Sequence, residues 1–140
     1  MDNDTQQIPR PLPDPTKVSQ PYWDGCKEGR LRIQRCSACG THLFYPVYMC
    51  HECTSQKLEW IDASGRGTVY SYSVIYRAPY AGLSDDGPYT VALVELEEGP
   101  IMMSQIVDVA PETVRVGDAV QVEFHRVSDD IDLPVFRLVR

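Results

Sequence analysis

From Lys57 onward the chain alternates apolar and polar residues. The segments "LEWIDA", "GTVYSYSVIYRA", "YTVALVELEE", "PIMMSQIVDV", "AVQVEFHRV" and "LPVFRLVR" are rich in Val, Ile and Tyr and are separated by Gly, Pro or Asp. A period of two is that of a strand, whose successive side chains point to opposite faces. No segment in this part carries the 3.6-residue period of a long amphipathic helix. With "LEWIDA" set aside as a leading strand, five main strands remain in roughly 75 residues. That number and spacing predict a small closed Greek-key barrel of the OB type.

The first part of the chain follows another pattern. Residues 1–20 contain four of the eleven prolines and almost no aromatic or β-branched residues, so burial there cannot offset the entropy of ordering. The expectation is a mobile tail, with an arm laid on a partner as the functional alternative. In "PYWDGCKEGR", Pro21 suits a first helical turn and Gly29 suits a helix end. Tyr22, Trp23 and Cys26 then share one side of a short helix that must dock on something to persist. "LRIQRC" alternates and predicts a strand.

That strand leads into "CSACGTHLFYPVYMCHEC", where Cys36, Cys39, Cys50 and Cys53 form two C-x₂-C pairs. Each pair can offer two thiolates to one metal ion, and zinc suits four soft ligands in a tetrahedron. Four protein ligands leave no position for substrate or activated water, so the reading is a structural site that supplies folding free energy. Iron in a rubredoxin-like site uses the same ligands and stays open. Two disulfides would need an oxidising compartment and would leave Cys26 unpaired. The expected organisation is a tail over 1–20, a helix and zinc ribbon over 21–56, and an OB-fold domain over 57–140.

Charge narrows the function classes. The chain of 140 residues has a formal net charge of −7, and all of the excess lies late: residues 57–140 hold seven Lys and Arg against fourteen Asp and Glu. Nucleic-acid binding needs a cationic surface, so an OB barrel of this sign is a poor candidate, although Trp60, Tyr70, Tyr72 and Tyr76 supply aromatic faces. Core packing is the expected use of those rings. No apolar stretch approaches the roughly 20 residues that span a bilayer. A soluble cytoplasmic protein is expected.

Lys27, Arg30, Arg32 and Arg35 are the one local concentration of positive charge. They are candidate contacts for the phosphates of a nucleotide such as coenzyme A, against the alternative of a solvated face that offsets the helix dipole. His51 lies between Cys50 and Cys53 and could replace one thiolate, but with four cysteines present it reads as a solvent-facing knuckle residue. His42 and His125 have no second group at an informative spacing, and Cys26 reads as a buried inert thiol. "SGRGT" lacks the lysine of a phosphate loop and precedes a strand, so it reads as a turn. In "YRAPYAGLSDDGPYT" the paired Asp85 and Asp86 suit a solvated turn better than acid/base chemistry. As a long connection it is also a candidate contact surface.

The order "PYWDGCKEGRLRIQRCSACG", "YMCHEC", "LEWIDASGRGTVYSYSVI" and "IVDVAPETVRVGDAVQVEFHRV" resembles the family called domain of unknown function thirty-five, over about residues 20–140. The resemblance implies a rubredoxin-like zinc ribbon ahead of an OB-fold, with Cys36, Cys39, Cys50 and Cys53 at the metal positions. It further implies a role in acyl-CoA metabolism as a non-catalytic accessory subunit of a thiolase-like acyltransferase or aldolase, in a hetero-oligomer. A hotdog-fold enoyl-CoA hydratase is the alternative partner. The family supplies no catalytic residue to place on this chain. Single-stranded nucleic-acid binding is the reading from another class, and an enzyme using Asp85, Asp86 or a histidine is a third.

Overall fold

The computed structural model describes residues 11–76 and 88–139. Asp85, Asp86 and most of the long tyrosine-bearing loop lie outside the described residues, as do residues 1–10.

Helix α1 spans Gln20–Lys27, with proline in its first turn. It stops where Gly29 takes a φ of 74°, a left-handed conformation that costs glycine little. Tyr22, Gly25 and Cys26 are its buried residues. At Gly25 a Cβ would lie 2.9 Å from the Arg30 carbonyl oxygen, so the helix packs on its own outgoing chain only because this position is glycine.

The outgoing chain forms β1 (Arg32–Cys36), the central strand of a three-stranded antiparallel sheet with β2 (His42–Leu43) and β3 (Leu58–Asp62). The "LEWIDA" segment pairs here, with Cys36 opposite Leu58 and Arg32 opposite Asp62. The two chain segments that flank the second cysteine pair are thus both tied to β1.

Five further strands close the barrel: β4 (Arg66–Ile75), β5 (Tyr89–Leu96), β6 (Ile101–Val107), β7 (Ala119–Arg126) and β8 (Asp132–Leu138). Their order is β4-β5-β6-β8-β7, with β6 and β8 parallel and the other pairs antiparallel. This is the five-stranded barrel of the OB type, and closure removes the edges that an open sheet would expose. Gly67 allows β4 to cross β5 closely, since a Cβ there would stand 2.5 Å from the Glu95 carbonyl oxygen.

Val69, Val94, Leu96, Met102, Ile106, Val120 and Phe136 fill the barrel, and Tyr22, Cys26, Leu31 and Ile33 belong to the same apolar cluster. Helix, β1 and barrel therefore share one core, while Cys36, Leu43 and Cys50 form a separate small cluster at the knuckles. Of the rings expected to pack in the core, Trp60 does pack against it, but the expectation is corrected for the tyrosines: Tyr70 is 56% exposed, Tyr72 36% and Tyr76, just past β4, 79%. Pairing with β5 shifts register between Val69 and Ser71, so Tyr70 is the extra residue of a bulge. Beyond the bulge β4 pairs with β5 alone, because its pairing with β7 covers only Arg66 to Thr68.

Candidate metal centre and the surface it organises

The two cysteine pairs sit on matching turns. The Gly40 N–H donates to the Cys36 carbonyl at 2.8 Å, and the Thr54 N–H donates to the Cys50 carbonyl at 2.9 Å. The Cys36 and Cys50 N–H groups donate in turn to the Thr41 and Ser55 carbonyls, at 2.8 and 2.9 Å. Each turn thus folds its two thiols toward one point.

At that point the four Sγ atoms of Cys36, Cys39, Cys50 and Cys53 all lie within 4.8 Å of one another. The Cys36–Cys53 and Cys39–Cys50 separations are 3.5 and 3.6 Å. Four sulfurs about 2.3 Å from a central zinc would stand about 3.8 Å apart, so the donor set and its spacing fit tetrahedral zinc.

Neighbouring donors favour the thiolate form at Cys36 and Cys39, whereas at Cys53 the Ser55 N–H favours the thiolate but the sulfurs of Cys36, Cys39 and Cys50 push the thiol up to about 12. The N–H groups of Cys39 and then Ala38 hold the Cys36 thiol below its ordinary value. The Thr41 hydroxyl and the Thr41 N–H bring Cys39 down to about 6. The Glu52 N–H reaches Cys50 Sγ at 3.4 Å. Such second-layer donors orient metal ligands and stabilise their charge. Cys36 and Cys50 are buried while Cys39 and Cys53 are exposed, which places the centre at the edge of the molecule.

Between the knuckles the turn "FYPVYM" is held from β1. Gln34 is buried, donates from Nε2 to the Val47 carbonyl at 2.9 Å, and accepts at Oε1 from the Val47 N–H at 2.7 Å. Phe44 packs inward with its ring 5.5 Å from that of Tyr22. Tyr45, Tyr48 and Met49 remain exposed. The ribbon therefore presents an apolar turn at a fixed place beside the barrel.

Three of the four basic residues around β1 are held in ion pairs. Arg30 pairs with Asp62 at 3.4 Å, Arg32 with Glu28 at 2.6 Å and Asp62 at 3.6 Å, and Arg35 with Glu59 at 2.8 Å. Lys27 makes no ion pair among the described residues. The acidic partners on β3 reach the arginines through strand pairing, which neither local stretch discloses.

Among the histidines, His51 stands 3.3 Å from Glu52 and His125 stands 2.9 Å from Glu123, both on the surface. Cys26 is fully buried on α1, and burial pushes its thiol from 9.0 up to about 12, with the Tyr22 hydroxyl as hydrogen-bond donor. Tyr22 is itself raised, first by burial and then by Cys26.

A four-thiolate ribbon packed through one core onto an OB barrel defines a two-module protein of the zinc-ribbon and OB class. Residues 23–59 match the family described as "ChsH2, rubredoxin-like zinc ribbon domain" and residues 60–125 match "ChsH2, C-terminal OB-fold domain". The chain belongs to this family, also called DUF35.

It is 42% identical over 101 residues to a DUF35 domain-containing scaffold protein of Methanothermobacter thermautotrophicus, covering 71% of this chain and 75% of that one. A probable enoyl-CoA hydratase alpha subunit of Thermomonospora curvata is 36% identical over 136 residues, 95% of this chain and 42% of the relative. This chain therefore spans less than half the length of that hydratase relative. The benzoylsuccinyl-CoA thiolase subunit BbsA of Geobacter metallireducens is 38% identical over 76 residues, 54% of this chain and 49% of BbsA. Among solved structures, a chain of the Ltp2-ChsH2(DUF35) aldolase superposes with a TM-score of 0.82 at 35% identity, covering 91% of this chain and 98% of that one. Relatives of this chain are thus named as subunits of enzymes acting on acyl-CoA compounds. No helix among the described residues is long and apolar enough to cross a membrane.

Proposed function

We propose that this protein is a zinc-stabilised accessory subunit, without chemistry of its own, that binds a thiolase-like acyltransferase or aldolase and helps position acyl-CoA. The setting would be lipid, steroid or polyketide-type metabolism. The observation that carries the reading is the 98% coverage of a chain from an aldolase assembly by this ribbon and barrel. Cys36, Cys39, Cys50 and Cys53 hold zinc as a closed clip, because four thiolates fill a tetrahedron and leave no place for a reacting group. The clip keeps the turn with Tyr45, Tyr48 and Met49 in register with the barrel.

Lys27, Arg30, Arg32 and Arg35 are the proposed contacts for the coenzyme A phosphates. The present partners of the three arginines are exposed carboxylates, and exposed ion pairs contribute only about 0–1 kcal/mol. A phosphate that accepts paired guanidinium hydrogen bonds can replace them. The similarity to a hydratase alpha subunit supports a second partner class, an enoyl-CoA hydratase.

Mixing the purified chain with a thiolase-like subunit, then measuring complex mass, acyl-CoA affinity and turnover, tests the proposal. A defined complex whose turnover exceeds that of the partner alone supports it. A chain that stays monomeric and gives no heat with acyl-CoA contradicts it.

A further inference from the structure

Ribbon and barrel meet over an apolar recess that neither module forms by itself. β6 and β8 pair only at Ile106 with Phe136 and Val107 with Arg137. Two residues earlier the ladder stops, because Pro134 has no N–H to give. Its carbonyl accepts from Ser104 Oγ at 2.8 Å in place of a backbone donor. The strands part from there, and a recess of about 290 Å³ opens between them.

Trp23 of α1 and Phe44 of the ribbon turn line one side of it, and Met102 and Leu133 line the barrel side. Tyr22 fixes the aromatic side, with its ring 4.8 Å from Trp23 and 5.5 Å from Phe44, edge to face in both cases. The thioethers of Met102 and Met103 let the opposite wall adapt to different shapes. Water in such a space has few partners, so an apolar body is favoured.

One group in the lining asks for something else. Gln105 is one of the residues lining the recess, and its side-chain amide makes no hydrogen bond to another described residue. It can donate to a carbonyl oxygen.

We infer that the recess is a binding site for the hydrocarbon part of a small carbonyl-bearing molecule, with Gln105 as the carbonyl donor. An acyl group of an acyl-CoA is the member of that class that the proposed function supplies, and only this last identification rests on it. Because the walls come from α1, the ribbon turn, β6 and β8, an occupant ties the two modules together.

The test uses the zinc-loaded full chain, with cyclohexyl methyl ketone as probe and methylcyclohexane as the control without a carbonyl. Amide resonances are followed by NMR and unfolding by thermal melting. Saturable shifts centred on Trp23, Phe44, Ser104 and Gln105, with a raised melting temperature, are expected for the ketone. Gln105→Leu should weaken the ketone about fivefold while sparing the hydrocarbon.

Met103 is 58% exposed at the rim, so Met103→Glu should leave the fold intact and weaken both probes about tenfold. No saturable shift up to the solubility limit, or unchanged binding in Met103→Glu, overturns the inference. Shifts at these residues that appear only on adding a partner protein also overturn it, and would assign the recess to an apolar side chain of that partner. Ketone binding without co-assembly would leave the site standing while removing the accessory role.

Discussion

Gly40 and Thr54 occupy equivalent places in the two cysteine turns, four residues after Cys36 and Cys50, and both are left-handed, with φ of 82° and 63°. Glycine accepts that backbone freely, whereas a β-branched residue is strained there. The second turn therefore carries strain that the first does not. Thr54→Gly should stabilise the zinc-bound protein by about 1 kcal/mol, read as a raised urea midpoint with unchanged metal content. A lower midpoint would mean that the bond from the Thr54 hydroxyl to the Cys53 carbonyl, 2.6 Å long, outweighs the strain.

Cys39→Ser removes one thiolate from the set of four. Metal analysis of the purified variant should show loss of most zinc, and NMR should show loss of dispersion in residues 31–62 ahead of the barrel, because the metal supplies folding free energy. Full zinc content with an unchanged spectrum would remove Cys39 from the ligand set.

Gln34→Leu keeps the volume of a buried side chain but leaves the Val47 N–H and carbonyl without their partner. Unpartnered buried polar groups cost about 1–3 kcal/mol. Denaturant unfolding should register that loss, and proteolysis should open the turn between the knuckles. Equal stability would show that water replaces both bonds.

The Cys26 thiol is raised by burial from 9.0 to about 12, so the folded state holds its proton where the unfolded state has lost it. The stabilising contribution is complete below pH 9 and falls as the pH rises toward 12. Tyr22, raised in the same direction, acts with the same sign at higher pH. Stability should therefore drop as the pH rises from 9.0 toward about 12, and Cys26→Ala should flatten the drop. A curve equally steep in Cys26→Ala would place the alkaline loss elsewhere.

How far the sequence discloses the molecule can be read from particular residues. The cysteine knuckles are legible because metal geometry demands local spacing, and the barrel strands because alternation is written along each one. The role of Gln34 is not, since its partner Val47 lies thirteen residues away and a polar residue in a strand carries no mark of its partner. The pairing of Arg30, Arg32 and Arg35 with acids on β3 needs the register of the sheet. The exposure of Tyr70 and Tyr72 needs the bulge, which a run of alternating residues hides. The recess beside Pro134 draws on four separated segments and has no signature in any one of them.

The proposed function makes this chain a subunit of an acyl-CoA enzyme. Its most direct test is affinity purification of the zinc-loaded chain from its native cells, with the co-eluting protein identified and assayed with and without it. A stoichiometric thiolase-like or hydratase subunit, whose turnover of acyl-CoA falls when this chain is removed, is expected. A chain that elutes alone, while every acyl-CoA enzyme of those cells keeps full activity in its absence, would contradict it.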